Sequence, residues 1–208
     1  MNIPKIKNSC FVSNIYFNRN YKKEDTITIL GSSKTTPSIE RYLEMCSEVA
    51  KSAVIADKNI LTGCGDKGIM GSAYYTAAKY STRNDENKPE QNIVILKDPL
   101  WGDEDLENCV IVGVQPSEAH RIQNFIETSN SFVFFPGGAG TLQEATTIIS
   151  NNNYAKDSKK VILVCKDFFK PLDEQYQNMY SAGLLNKRPD ELYAIVDSSK
   201  EAKEILGI

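Results

Sequence analysis

The sequence has only one histidine and one tryptophan among 208 residues, and its five cysteines show no C-x-x-C spacing. This scarcity of histidine and the scattered thiols argue against a zinc site, which needs several His or Cys ligands close together. An odd number of cysteines without a regular pattern also argues against a disulfide framework. We therefore predict no bound metal, no cofactor and a reducing compartment. The cysteines are Cys10, Cys46, Cys64, Cys109 and Cys165.

The sequence also has no strong excess of charge and no long apolar run. Its 24 basic and 27 acidic side chains leave a net charge of −3, which gives no reason to expect a nucleic-acid surface. No apolar stretch approaches the ~18 residues of a membrane span, and the N-terminus has no signal-type apolar core. We predict a soluble, cytoplasmic protein that binds neither membrane nor nucleic acid.

A regular hydrophobic pattern begins only after residue 25. Residues 1–25 have no clear period and are predicted to form an N-terminal extension, whereas 26–208 are predicted to form a single domain. In that domain apolar strands alternate with helical patterns, which is typical of a doubly wound α/β fold with a mainly parallel sheet covered on both faces. The predicted strands are 26–30, 59–62, 92–96, 109–114, 131–135, 160–165 and 192–196, and the predicted helices are 37–56, 69–80, 116–130, 140–150, one from about 168, and 199–206.

Turns rich in glycine follow three of these strands. They are Gly31-Ser32-Ser33, the segment 63–68, and Pro136-Gly137-Gly138-Ala139-Gly140-Thr141. Ligands of open parallel sheets bind beyond the carboxyl ends of the strands, where all three turns begin. The third turn also opens a helix, whose free N–H groups would hold an anion such as phosphate; the alternative is a tight turn that needs glycine only for its shape. The pattern matches neither the P-loop nor the G-x-G-x-x-G fingerprint.

Two charged residues are predicted to lie beside this third turn. Glu144 follows Thr141 by three residues, so spacing alone favours a capping box in which the carboxylate bonds the helix backbone. The alternative is a carboxylate that stabilises a cationic sugar transition state, and both interpretations keep Glu144 ionised. Arg121 flanks an apolar helix stripe, where arginine is usually solvated, yet its place near the carboxyl edge favours a ligand contact. Together these residues indicate a site for a phosphorylated sugar or nucleotide.

The motifs resemble those of the Lonely Guy (LOG) family, whose members were long labelled lysine decarboxylases. The matching residues are Gly31-Ser32-Ser33, Gly63-Cys64-Gly65-Asp66-Lys67-Gly68-Ile69-Met70-Gly71, Arg121, and Pro136-Gly137-Gly138-Ala139-Gly140-Thr141-Leu142-Gln143-Glu144. The resemblance extends over residues 26–165. Nothing in the sequence points to a pyridoxal phosphate site.

The resemblance implies a Rossmann-like homodimer that hydrolyses the N-glycosidic bond of a nucleoside 5′-monophosphate to a free base and ribose 5-phosphate. The nucleotide would be a cytokinin riboside monophosphate or an ordinary purine or pyrimidine nucleotide. Carried over from the family, the catalytic pair would be Arg121 and Glu144. Molybdenum-cofactor carriers share the P-G-G-x-G-T loop, so a non-catalytic carrier of a nucleotide or phosphorylated cofactor is the alternative function. The implied phosphate contacts are Gly31, Ser32, Gly65, Gly137, Gly138, Gly140 and Thr141.

Overall fold

A computed structural model of the protein describes residues 22–63, 65–81, 93–97 and 111–208. Most of the predicted N-terminal extension, Cys64 and nearly all of the loop between the second helix and the third strand lie outside these residues. The described part of the extension is a short 3-10 turn, Lys23–Asp25, that leads directly into the first strand.

Seven parallel strands form one sheet in the described part of the chain, with the order β4-β3-β2-β1-β5-β6-β7. Each neighbouring pair is parallel; Thr28, for example, lies in register between Leu61 and Phe132. The strands are β1 Thr26–Leu30, β2 Asn59–Gly63, β3 Ile93–Lys97, β4 Ile111–Val114, β5 Ser131–Phe134, β6 Lys160–Val164 and β7 Ala194–Val196.

Helices cover both faces of this sheet. Alternate residues of a strand point to opposite faces, so Val133 of β5 packs in one core while Phe132 and Phe134 pack in the other. The first core includes residues of α1, α2 and α7, and the second includes residues of α3, α4, α5 and α6. The predicted doubly wound α/β fold is confirmed. The helices are α1 Glu40–Ile55, α2 Gly68–Tyr80, α3 Glu118–Thr128, α4 Ala139–Tyr154, α5 Lys166–Ser181, α6 Pro189–Leu192 and α7 Ser199–Leu206.

The strand order reverses at β1, which has β2 on one side and β5 on the other. In open α/β sheets such a reversal leaves a crevice at the carboxyl ends of the two central strands, and ligands bind there. The loops that leave β1 and β5 meet at this point, because Ser32 N–H donates a hydrogen bond of 3.1 Å to the carbonyl of Pro136. Two of the predicted glycine-rich turns therefore meet at the reversal point.

Several element boundaries differ from the prediction, and three of these differences have a local cause or bear on the site. α5 begins at Lys166 rather than 168, since Cys165 has a positive φ of 94° that turns the chain immediately after β6. The predicted strand 192–196 begins only at Ala194, because Pro189 at the first helical position starts α6, which extends to Leu192. α4 begins at Ala139 and continues to Tyr154, so Glu144 lies in its second turn.

Candidate functional site

The N-terminus of α4 opens directly into the crevice between β1 and β5. Gly138 is the N-cap, in an extended conformation, and no side chain among the described residues caps it. The first backbone bond of the helix runs from Leu142 N–H to the carbonyl of Gly138, at 3.1 Å. The preceding N–H groups in this turn therefore have no partner within the helix, which makes this end suited to an anion.

The surroundings require glycine at only one of three positions of this loop, residue 137, and not at 138 or 140. A Cβ at Gly137 would lie 2.2 Å from Thr141 Oγ1 and 3.0 Å from the carbonyl carbon of Gly31, so the packing of the two loops excludes any side chain. A Cβ at Gly138 or Gly140 would meet nothing within 4 Å. Neither has a positive φ in the range that favours glycine. Packing thus explains why residue 137 is glycine, whereas neither packing nor backbone conformation requires glycine at 138 and 140, where the backbone is free to approach a ligand.

This difference predicts opposite effects of alanine at Gly137 and Gly140 on stability. Gly137→Ala forces the loops apart and should lower the free energy of unfolding by about 1–3 kcal/mol, the usual cost of overpacking. Gly140→Ala adds a better helix former in open space and should leave stability unchanged or raise it by up to about 1 kcal/mol. Urea unfolding followed by circular dichroism measures both. Equal stability of the two variants would show that the loops are not packed as described.

The other two glycine-rich turns are packed against the same edge. The carbonyl of Ser32 accepts a 2.8 Å hydrogen bond from Ile69 N–H, and the Ser32 hydroxyl donates to the carbonyl of Lys34 at 2.9 Å. A Cβ at Gly31 would lie 2.8 Å from the side chain of Ile69, and one at Gly65 would lie 3.2 Å from that of Ser33. The packing and hydrogen bonds of Gly31, Ser32 and Gly65 thus hold the turns against each other. Contact of these residues with phosphate stays a prediction.

Arg121 is buried, so the interpretation as a solvated residue is wrong. It lies on the first turns of α3, after an N-cap in which the Ser117 hydroxyl accepts a hydrogen bond from His120 N–H. Only 8% of Arg121 is exposed, and Nη2 donates to Glu118 Oε1 at 2.7 Å and to Glu144 Oε1 at 3.0 Å. Among the described residues nothing accepts a hydrogen bond from its buried Nε. A buried charged donor of this kind is costly unless a ligand or water accepts from it.

Glu144 does not form the capping box that its spacing from Thr141 favours. Because α4 begins at Ala139, Thr141 is the third helical residue and Glu144 lies in the second turn. Glu144 is 4% exposed, and its carboxylate accepts a hydrogen bond from Arg121 instead of from the helix backbone. The predicted proximity of Arg121 to the glycine loop is therefore present, since Glu144 lies one helical turn from Thr141 on the same face.

The surroundings of Glu144 also change its expected charge. Burial raises its pKa to about 7; the Arg121 guanidinium opposes that rise, and the nearby carboxylate of Glu118 adds to it. Desolvation is the largest of these effects, as is usual for a carboxyl removed from water. The expectation that Glu144 stays fully ionised is thus wrong near neutral pH, where both protonation states are populated.

This raised pKa predicts a specific dependence of stability on pH. The folded state holds the Glu144 proton more tightly than the unfolded state, so its stabilising effect is complete below about pH 4.5 and is lost as the pH rises to about 7. Glutamine does not titrate, so Glu144→Gln does not lose stability in this way. Between pH 5 and pH 8 the free energy of unfolding of the variant should therefore rise relative to that of the wild type, by up to roughly 3 kcal/mol. Urea unfolding of both proteins at the two pH values tests this. An unchanged difference would mean that Glu144 is ionised throughout.

Two further polar residues, one on α3 and one hydrogen-bonded to it, were not predicted as part of the site. Glu118 precedes Arg121 by three residues, a spacing that brings side chains together on a helix and that could have identified it. Gln115 follows β4 at the same sheet edge and is 1% exposed; its Oε1 accepts from Asn124, while its Nε2 has no partner among the described residues. Nothing in the local sequence distinguishes Gln115 from an ordinary loop residue.

The described residues also bear on two other kinds of site. Within 22–63, 65–81, 93–97 and 111–208, no group of three His, Cys, Asp or Glu side chains is arranged to hold a metal ion. None of the helices in these ranges is long and apolar enough to cross a membrane.

Solved structures with the same fold include two molybdenum-cofactor proteins. The molybdenum cofactor binding protein from the phototrophic bacterium Rippkaea orientalis is similar over 88% of this chain and 94% of its own, with a TM-score of 0.63 and 19% identity. The molybdenum cofactor carrier protein from Chlamydomonas reinhardtii is similar over 88% of this chain and 98% of its own, with a TM-score of 0.62 and 17% identity. At this identity the similarity establishes the fold. No curated protein sequence matches the chain significantly.

A family model described as "possible lysine decarboxylase" matches residues 67–206. The match includes Arg121, the glycine loop and Glu144, and it starts after Gly31, Ser32 and Gly65. This family is the LOG family that the sequence motifs resemble. Since the match extends over more than half of the chain, the protein belongs to the possible lysine decarboxylase (LOG) family.

Proposed function

We propose that the protein hydrolyses the N-glycosidic bond of a nucleoside 5′-monophosphate and releases a free base and ribose 5-phosphate. The observation that carries this proposal is the buried pair of Arg121 and Glu144, one helical turn from the open N-terminus of α4. This pair supports the proposal because it lies close to the free N–H groups of a helix N-terminus, at the point where the strand order reverses.

The phosphate is bound by the first turn of α4. Its N–H groups and the positive end of the helix dipole attract a phosphate dianion. The open space at Gly138 and Gly140 lets the oxygens approach the backbone closely. Binding energy from the phosphate then positions the sugar for reaction.

Arg121 and Glu144 act on the sugar. Ionised Glu144 stabilises the positive charge that develops on the ribose ring as the C1′–N bond breaks, and it takes a proton from the attacking water. The electron pair of that bond leaves with the base, and the water oxygen bonds C1′. The proton that Glu144 takes from the water is then returned through solvent to the departing base, so that Glu144 is ionised again. Arg121 orients the Glu144 carboxylate through Nη2, and its unpartnered Nε is available to a substrate oxygen.

Chromatography after incubation with a panel of nucleoside monophosphates tests this function. We expect free base and ribose 5-phosphate in equal amounts from at least one nucleotide, and no reaction of the matching nucleosides, which lack the phosphate. Equal cleavage of a nucleoside and its monophosphate would contradict the role of α4. The absence of cleavage of every nucleotide would contradict the hydrolase function.

A carrier of a nucleotide or a phosphorylated cofactor is the second candidate. The observation in its favour is that two of the similar structures are a molybdenum cofactor binding protein and a molybdenum cofactor carrier protein. A carrier needs the anion site but not the proton transfer by Glu144. Tight binding of a nucleotide or a pterin phosphate without any cleavage would favour it over the hydrolase.

We also propose that the protein is a homodimer, as the LOG resemblance implies. Light scattering at micromolar concentration measures its mass directly. A mass of about 46 kDa, twice the 23.2 kDa of the chain, is expected, and the mass of a single chain would contradict the proposal.

A further inference from the structure

An apolar pocket of about 530 Å³ lies between the first turns of α4 and α5. This volume falls within the range of small-molecule sites, which are mostly apolar with a few polar groups. One wall is the glycine loop and the start of α4, and the rest is formed by side chains of both helices. Its lining includes Gly138, Leu142, Phe168, Phe169, Leu172 and Gln175.

Most of this pocket lies on the side of α4 away from the Arg121–Glu144 pair, although Thr141, on the same face as Glu144, also lines it. Successive helical residues are turned by about 100°, so Leu142 and Glu144 point in directions about 160° apart. Glu144 contacts α3 through Arg121, whereas Leu142 lines the pocket with Phe168 of α5. Neither Arg121 nor Glu144 belongs to the pocket lining. The apolar pocket and the site proposed for the sugar therefore share Thr141 and the glycine loop, whereas Arg121 and Glu144 lie outside the pocket.

We propose that this pocket and the N-terminus of α4 together bind a second class of ligand, an amphipathic phosphate with an aryl or branched-alkyl body. Leu142 and Phe168 are each nearly half exposed, and covering them with an apolar body removes their surface from water. The phosphate lies on the N–H groups at the start of α4, which form one wall of the pocket. Such a ligand competes with a nucleotide for these groups while leaving Arg121 and Glu144 uncontacted.

The shape of the surface favours a small molecule over a partner protein. The pocket is concave, and its apolar side chains come from the first turn of α4 and from α5. A stable protein interface buries about 800 Å² on each partner, far more than this cavity presents. The polar backbone groups in its wall suit one anionic group. The proposal rests on the anion-binding part of the proposed function and is independent of hydrolysis.

Isothermal titration calorimetry with 1-naphthyl phosphate, inorganic phosphate and 1-naphthol tests the proposal. We expect 1-naphthyl phosphate to bind at least tenfold more tightly than either of the other probes, since only it occupies both the pocket and the anion site. Phe168→Ala and Leu142→Ala should each weaken its binding by roughly tenfold. The control Tyr180→Ala removes an exposed aromatic of the same helix outside the pocket lining and should have no effect.

The same titrations with adenosine 5′-monophosphate separate this proposal from the proposed function. Phe168→Ala should change the affinity for the nucleotide by less than twofold. If the nucleotide neither binds nor reacts, but binding of 1-naphthyl phosphate still depends on Phe168, the hydrolase function fails and the pocket proposal stands. The pocket proposal is overturned if 1-naphthyl phosphate binds no better than inorganic phosphate or 1-naphthol. It is also overturned if Phe168→Ala weakens binding of the nucleotide as much as binding of 1-naphthyl phosphate. Conversion of a dimer to a monomer by that variant would overturn it as well.

Discussion

Glu144→Gln is expected to lower turnover of the best nucleotide substrate by roughly a hundredfold or more, the usual contribution of general acid–base catalysis. Glutamine keeps the shape of the side chain in its buried position but has no charge to stabilise the developing cation and cannot accept a proton from water. In the wild type, turnover should rise between pH 6 and pH 8 as Glu144, whose pKa is raised to about 7, becomes ionised. Steady-state kinetics of both proteins over this pH range measure the two effects.

Glu118→Gln is the matched control for this prediction. Glu118 also accepts a hydrogen bond from Arg121 Nη2, but its side chain is partly exposed, unlike that of Glu144. Because its charge raises the pKa of Glu144, its removal should move the pH profile to lower pH while most of the turnover remains. Full activity of Glu144→Gln, or an equal loss in both variants, would show that Glu144 has no special role in the reaction.

Arg121→Ala is expected to abolish measurable turnover. The substitution removes the unpartnered Nε proposed to bind the substrate and the donor that orients Glu144, and correct orientation accounts for a large part of many enzymatic rates. It also raises the pKa of Glu144 further, since the Arg121 charge is what lowers it. Kinetics at pH 8 measure the loss of turnover, and calorimetric binding of ribose 5-phosphate measures the loss of the contact with the substrate.

Two variants control for the loss of positive charge. Arg121→Lys keeps the charge but lacks the planar fork of donors, so it should recover only a small part of the activity. Arg188→Ala removes an arginine whose side chain is largely exposed and paired with Asp190 and Glu191, and it should leave turnover unchanged. Wild-type activity of Arg121→Ala would remove Arg121 from the mechanism.

The sequence was sufficient to predict the sheet and the edge at which the candidate site residues lie. Apolar strands such as Thr26–Leu30 alternate with helical patterns, and parallel strands bring their carboxyl ends to one edge. Thus Gly31 and Pro136, about a hundred residues apart, could be expected to lie close together. The hydrogen bond from Ser32 to Pro136 confirms that closeness.

The state of Glu144 could not be predicted, because it depends on where α4 begins and on what covers it. The spacing of Thr141 and Glu144 fits a capping box, but the extended conformation of Gly138 starts the helix earlier and turns Glu144 towards α3. The raised pKa then follows from burial beneath Arg121 and Glu118, which lie on another helix. Leu142 and Phe168 likewise look like ordinary surface residues until α4 and α5 are placed side by side.

The most direct test of the central claim is a crystal structure of Glu144→Gln with adenosine 5′-monophosphate bound. The claim is that the N-terminus of α4 and the Arg121–Glu144 pair act on one ligand. It predicts the phosphate on the N–H groups at the start of α4 and C1′ of the ribose next to Arg121 and residue 144. A phosphate bound elsewhere, or a ribose directed into the pocket beside Phe168, would contradict it.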